Sequence, residues 1–176
     1  MAVSRVQKVE QHFKNTVSSL PSTTSRSDLD QPVRDGSTLT ARQAIAIFTA
    51  QIESRVLDVL ARELKSVGQS FYTIGSSGHE GNASVAAALN PDDPAFLHYR
   101  SGGFFLARSQ QVDGPAGAFD VLLGMVASRD EPIAGGRHKV FGSKDLCIPP
   151  QTSTIASHLP KALGCAVAMD RKARME

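Results

Sequence analysis

The chain has 176 residues, 41% apolar and 20% charged, which is the composition of a globular protein with a core. Nineteen Lys and Arg are interleaved with seventeen Asp and Glu, and the net charge of +2 with no basic run excludes a nucleic-acid surface. No segment approaches the roughly 18 uninterrupted apolar residues of a membrane helix. Cys147 and Cys165 form no C-x-x-C pair and read as reduced thiols. Met1 to Lys14 lacks the apolar stretch of a secretory signal. Both features point to the cytoplasm.

In chain order, residues 1–20 predict a short amphipathic helix with Val6, Val9, Phe13 and Val17 on one side. Residues 21–37, broken by Pro21, Pro32 and Gly36, read as a linker or leading arm, so that 1–37 is set apart from 38–176. Thr40 followed by Gln43 makes a capping box. Behind it Ile45, Phe48, Ile52, Val56, Leu60 and Leu64 recur at steps of three and four up to Gly68. The spacing predicts one long helix over 41–66, buried along that stripe, with Arg42, Glu53, Arg55, Arg62, Glu63 and Lys65 solvated. Phe71–Ile74, Ala95–His98 and Cys147–Pro149 predict strands. Asn82–Leu89, Gly103–Ser109, Phe119–Val126 and 156–173 predict helices, the last with Leu159, Leu163, Val167 and Met169 inward. This alternation predicts an α/β architecture, a parallel sheet flanked by helices.

Three loops lie where a strand hands over to a helix, the edge at which open α/β sheets bind ligands. Gly75–Gly81 is either a cradle for a phosphate or a tight turn before a helix. It fits neither the G-x-x-x-x-G-K-[ST] nor the G-x-G-x-x-G pattern. His98-Tyr99-Arg100 sets a guanidinium fork beside small residues, suited to a phosphate or carboxylate, or to plain solvent exposure. The hydroxyl-rich run from Gln151 to His158 either supplies oxygen ligands to a cation or caps the next helix. Gly135-Gly136-Arg137-His138-Lys139 gathers basic groups that either meet an anion or stay solvated. No two of the five histidines have a zinc-ligand spacing, and no G-x-S-x-G elbow supports a hydrolase.

Taken in order, Phe71-Tyr-Thr-Ile-Gly-Ser-Ser-Gly-His-Glu-Gly81, His98-Tyr-Arg100, Gly136-Arg137 and Thr152-Ser-Thr-Ile-Ala-Ser-His-Leu-Pro-Lys-Ala-Leu-Gly164 resemble the alpha-type half of a family of decarboxylases. These are the thiamine-diphosphate-dependent 2-oxo acid dehydrogenases, the first components of the branched-chain and pyruvate complexes. The flavour is that of the bacterial form with fused alpha-like and beta-like halves. The transketolase-like branch fits less well.

The resemblance implies a thiamine-diphosphate-binding fold, with 38–176 as the first part of the domain that holds the cofactor's diphosphate. It implies that Tyr99 and Arg100 lie against the cofactor, Arg100 on the diphosphate. It further implies that Ser153 contacts the cofactor and that Ile155 wedges between its rings. His98 takes a place often held by Gln and faces the substrate. Thr152, Ser157 and His158 match a loop that holds potassium in branched-chain relatives. The magnesium ligands, a Gly-Asp-Gly stretch and later asparagines, fall after residue 176. The expectation is therefore a fragment, a truncated product or one piece of a split enzyme, with no catalytic acid or base of its own. Its expected partners are a beta-type half, a lipoyl acyltransferase component and a 2-oxo acid. The competing expectation is a non-catalytic remnant that packs against a partner.

Overall fold

A computed structural model describes residues 4–22, 28–72, 74–138 and 140–176; the Val6 side chain, Thr73 and Lys139, named above, lie outside this set. Six helices run along the chain: α1 Arg5–Ser19, α2 Ala41–Ser66, α3 Asn82–Ala88, α4 Gly102–Ser109, α5 Gly117–Met125 and α6 His158–Met175. Two start with reciprocal caps. Ser4 Oγ accepts from the Gln7 amide, while the Gln7 side chain accepts from the Ser4 amide. Thr40 and Gln43 do the same for α2. Each box satisfies two amides that the first helical turn leaves without partners. α2 stops as its glycine predicts: Gly68 takes φ of +76°, and the Gly68 and Gln69 amides donate back to the Lys65 and Leu64 carbonyls.

The predicted stripe of α2 does not face the core. Ile45, Phe48, Ile52 and Val56 are exposed, Leu60 and Leu64 are half-buried, and the helix buries Ala50, Ser54, Leu57, Asp58 and Ala61 instead. The cause lies in what it packs against. α4 presents Gly102, where an added Cβ would stand 2.5 Å from Ser76 Oγ and 2.8 Å from Ser54 Oγ. Such a close approach admits only small side chains, so the small face of α2 turns inward and the large residues point out. α6 departs in the same direction: it has no buried residue, and Leu159, Leu163, Val167 and Met169 are exposed rather than inward.

α4 is the centre. Gly102 to Arg108 are all buried, and α2, α3 and α5 surround this helix. Leu57, Leu97, Phe104, Phe105, Leu106, Met125, Phe141, Leu146 and Ile148 make the bulk of the core. Arg108 is fully buried within it; its Nη1 donates to the carbonyls of Pro91 (2.7 Å), Asp93 (3.1 Å) and Leu146 (3.3 Å). Burial pushes the guanidinium below its ordinary pKa, while Asp93 opposes the shift. One cation thereby ties α4 to the turn before residue 95 and to the segment after 143.

The parallel sheet expected from the sequence is absent among the described residues, which contain two isolated bridges, Pro32 with Thr40 and Ser143 with Ile148. Ala95 and Cys147 do meet, through one hydrogen bond of 3.0 Å from the Ala95 amide. A ladder needs a row of such bonds on aligned neighbours. Here Pro94, Pro149 and Pro150 flank the contact and provide no amide to extend it. Among the described residues no helix is long and apolar enough to cross a membrane.

Gly102→Ala is expected to destabilise the fold by about 1–3 kcal/mol, since the new methyl must displace two buried hydroxyls. A thermal unfolding midpoint equal to that of the parent would show that α2 and α4 are not in such close approach.

Candidate functional site

The loops singled out by sequence are built from backbone contacts around α4. The Arg100 Nη1 donates to the Gly75 carbonyl at 2.7 Å, and the Gly102 amide donates to Ser76 Oγ at 3.0 Å. These two bonds seat residues 75–76 beside the start of α4. Gly75 fits because its α-hydrogen faces the Asp58 carboxyl, 2.4 Å from where a Cβ would lie. The rest of the turn satisfies itself. The Gly78 amide donates to Glu80 Oε2 (2.8 Å), and the His79 amide to the Ser76 carbonyl (2.8 Å). With the Gly78 and His79 amides engaged within the loop, Gly75–Gly81 has the internal bonding of the tight turn, one of its two readings. Arg55 binds the Glu80 carboxylate at 2.5 Å and fixes the turn to α2.

His98, Tyr99 and Arg100 are half-buried at the mouth of this arrangement. The His98 and Tyr99 rings are 3.7 Å apart, and the Arg100 guanidinium lies 5.4 Å from the centre of the Tyr99 ring. Among the described residues no carboxylate pairs with Arg100. A half-buried guanidinium with only a carbonyl on one nitrogen keeps donors for an oxyanion.

A second half of the site comes from 131–138 and 151–158. Glu131 is buried, and its carboxylate accepts from the amides of Ile133 (3.0 Å), Ala134 (2.6 Å) and Gly136 (3.3 Å). Gly136 must be glycine, because its φ is +70° and a Cβ would stand 2.2 Å from the Ala127 carbonyl carbon. The turn so formed carries the Arg137 carbonyl to the Tyr72 hydroxyl (3.3 Å) and His138 to Ser153. The His138 Nε2 is 3.2 Å from the Ser153 amide and 3.1 Å from its Oγ. Since an amide can only donate, Nε2 is an acceptor and the neutral ring carries its proton on Nδ1. The sequence places His138 in a basic run that either meets an anion or stays solvated; the structure makes it the residue that holds Ser153.

The two halves meet at His98 and His158, whose ring centroids are 5.8 Å apart. The segment His98-Tyr99-Arg100 therefore adjoins, through these rings, the end of the loop that bears Ser153 and Ile155. Ile155 is 76% exposed and packs into no core. The donor set fits a diphosphate-bearing aromatic cofactor: an arginine without an acid, an aromatic hydroxyl, a fixed serine and a bare isoleucine. The cation loop fits less well. Thr152 Oγ1 and Ser157 Oγ bond one another at 3.2 Å, and the His158 ring offers nitrogen where a hard cation takes oxygen. No cluster of three His, Cys, Asp or Glu among the described residues is placed to hold a metal ion. A void of about 20 Å³ between α5 and the 131–142 segment, lined by Phe105, Asp120 and Phe141, lies apart from these loops.

His98 sits below the ordinary imidazole pKa of 6.5, first through burial and then through its basic neighbours His158, His79 and Arg100. A histidine lowered on folding binds fewer protons in the native state than in the unfolded chain. Its contribution to stability is therefore present above pH 6.5 and is lost as pH falls through the folded value. His98→Gln is expected to flatten the pH dependence of the unfolding midpoint below that point; an unchanged slope would contradict it. His138→Leu is expected to speed exchange of the Ser153 amide by about tenfold or more, the loss of one bond worth about 1 kcal/mol with desolvation added. His138→Gln, with an oxygen near the place of Nε2, is expected to restore protection. Equal exchange in the Leu variant would show that His138 does not hold the serine.

Comparison with known proteins bears on this site. The chain is 29% identical over 133 residues, 73% of its length, to 2-oxoisovalerate dehydrogenase subunit alpha 2, mitochondrial, of Arabidopsis thaliana. It is 23% identical over 129 residues (72% of the chain) to 2-oxoisovalerate dehydrogenase subunit alpha, mitochondrial, of Dictyostelium discoideum. The Caenorhabditis elegans subunit of the same name is 23% identical over 132 residues, 73% of the chain. The matches cover 28%, 27% and 29% of the Dictyostelium, Arabidopsis and Caenorhabditis subunits, so the chain spans under a third of these relatives' length. No family model and no solved structure matches. The chain thus shows a distant similarity, over about three quarters of its length, to alpha subunits of 2-oxoisovalerate dehydrogenase.

Proposed function

We propose that this chain is a cofactor-binding part of a 2-oxo acid dehydrogenase and that the mouth between His98–Arg100 and Ser153–Ile155 takes thiamine diphosphate. The observation that carries the reading is that two segments far apart in sequence meet through the His98 and His158 rings, 5.8 Å apart, one of them bearing an arginine with no acid partner among the described residues. When bound, the cofactor supplies the electron sink for decarboxylation of a 2-oxo acid. The chain's own residues bind and orient. Arg100 directs its free guanidinium donors at a diphosphate oxygen, with its Nη1 anchored on Gly75 so that little freedom is lost on binding. Tyr99 backs the guanidinium and offers its hydroxyl. Ser153, fixed through His138, presents a hydroxyl in one direction, and Ile155 offers an apolar wedge for two aromatic rings. No residue here is assigned a proton transfer.

The wider reading includes a beta-type partner, a lipoyl acyltransferase component and a reduced, cytoplasmic setting in which Cys147 and Cys165 are free thiols. The exposed apolar faces of α2 and α6 favour such a partner. They equally favour the second reading, a non-catalytic chain that packs against a partner and binds no cofactor.

Calorimetric titration with thiamine diphosphate and magnesium separates the two. The first reading expects saturable binding by the chain, alone or with its beta-type partner. Arg100→Ala is expected to weaken it about 10- to 100-fold, the range of one lost charge-assisted bond. Ile155→Ala is expected to weaken it less, by about tenfold. Absence of binding in both settings would establish the second reading.

A further inference from the structure

Three imidazoles gather at the mouth with no acid among them. The His79 and His158 ring centroids lie 6.4 and 5.8 Å from that of His98. Among the described residues no carboxylate pairs with any of the three. The acid next in sequence, Glu80, is turned away to Arg55 and the Gly78 amide. His98 Nδ1 accepts from the Arg100 amide at 3.3 Å, so the neutral ring carries its proton on Nε2 and keeps that donor for an outside group. His98 and His158 are half-buried and His79 flanks them from an exposed turn. Taking the N–H donors of the two half-buried rings out of water costs desolvation unless an occupant brings oxygens to them.

The choice of occupant follows from the chemistry of decarboxylation. The carboxylate that leaves as carbon dioxide gives up its charge in the transition state. Donors clamped on it would favour the ground state and slow the reaction. Donors on a remote, unreacting part of the substrate carry no such penalty, and their binding energy serves orientation. A branched aliphatic side chain would strip water from the three rings and give nothing in return. We propose that His79, His98 and His158 form an oxyanion-binding face for a second carboxylate, carried on the side chain of the 2-oxo acid. The substrate class is then a dicarboxylic 2-oxo acid. This rests on the function proposed above, and pyrophosphate, as the other source of oxyanion, is tested beside it.

The test uses the whole chain and reads the imidazole nitrogens by side-chain nuclear magnetic resonance. 2-Oxopentanedioate is compared with 2-oxopentanoate, which differs only in lacking the terminal carboxylate. The dicarboxylate is expected to move the signals of all three rings and to bind at least about tenfold more tightly, the effect of one charge-assisted bond. His98→Leu is expected to bring that ratio near one, and His98→Gln, which keeps a donor, to restore part of it. Backbone spectra report whether each variant is folded; should His98→Leu unfold, His79→Ala on the exposed turn is read in its place. Equal binding of the two acids, or no movement of the rings, overturns the proposal. So does inorganic pyrophosphate that moves the same rings and displaces the dicarboxylate, for the face then belongs to a diphosphate. A tenfold preference in a chain to which thiamine diphosphate fails to bind would uphold the oxyanion face and sink the cofactor reading alone.

Discussion

Everything in this chain hangs on α4 being buried from end to end. A short helix surrounded on several sides leaves no room for bulk at its start, which is why Gly102 and Gly103 stand there and why a Cβ on Gly103 would meet the Glu80 carbonyl at 2.8 Å. Its other end is held by Arg108, a buried cation that gathers three carbonyls from two distant segments. A charge in the interior is costly, and bonds of this kind are what make it tolerable. The consequence for function is positional. The residue that opens α4 follows Arg100 by two, so fixing the helix fixes the guanidinium, and Gly75 and Ser76 are drawn to the same place.

What the sequence made legible was local. The capping box at Thr40 and Gln43, the stop at Gly68 and the existence of all six helices follow from side chains acting on their own or neighbouring turns, while the box at Ser4 and Gln7 was overlooked although its spacing is the same. The strands were not legible, because a run such as Phe71–Ile74 or Ala95–His98 records a preference for extended backbone and says nothing about whether a neighbour aligns with it. The facing of α2 failed for a different reason. Ala50, Ser54, Leu57, Asp58 and Ala61 recur at the same helical spacing as Ile45, Phe48, Ile52 and Val56, and periodicity alone favours the larger set. The missing information was the paired glycines of α4, fifty residues on, which demand a small face opposite them. Read together, the two features were a usable signal.

The site divides along the same line. Tyr99 and Arg100 are marked by their neighbours in sequence, and the structure makes them half-buried. The His138 hold on Ser153 was invisible, since a separation of fifteen residues between a histidine and a serine matches no motif. It depends on Glu131 winding three amides around its carboxylate and thereby aiming the chain. Nor did the sequence bring His79, His98 and His158 together. Their grouping comes from the turn at Gly78, from α4 and from the first turn of α6, three elements whose meeting is tertiary.

α6 poses the remaining physical problem. It touches the site through His158 at its first position, yet none of its residues is buried, and its large side chains lie bare along with those of α2. Single exposed leucines are ordinary, but stripes on two helices form the kind of surface that monomers rarely leave open. In the proposed assembly a beta-type partner covers these stripes. The face such a partner would cover and the histidine cluster of the mouth thus belong to one helix, joined at His158.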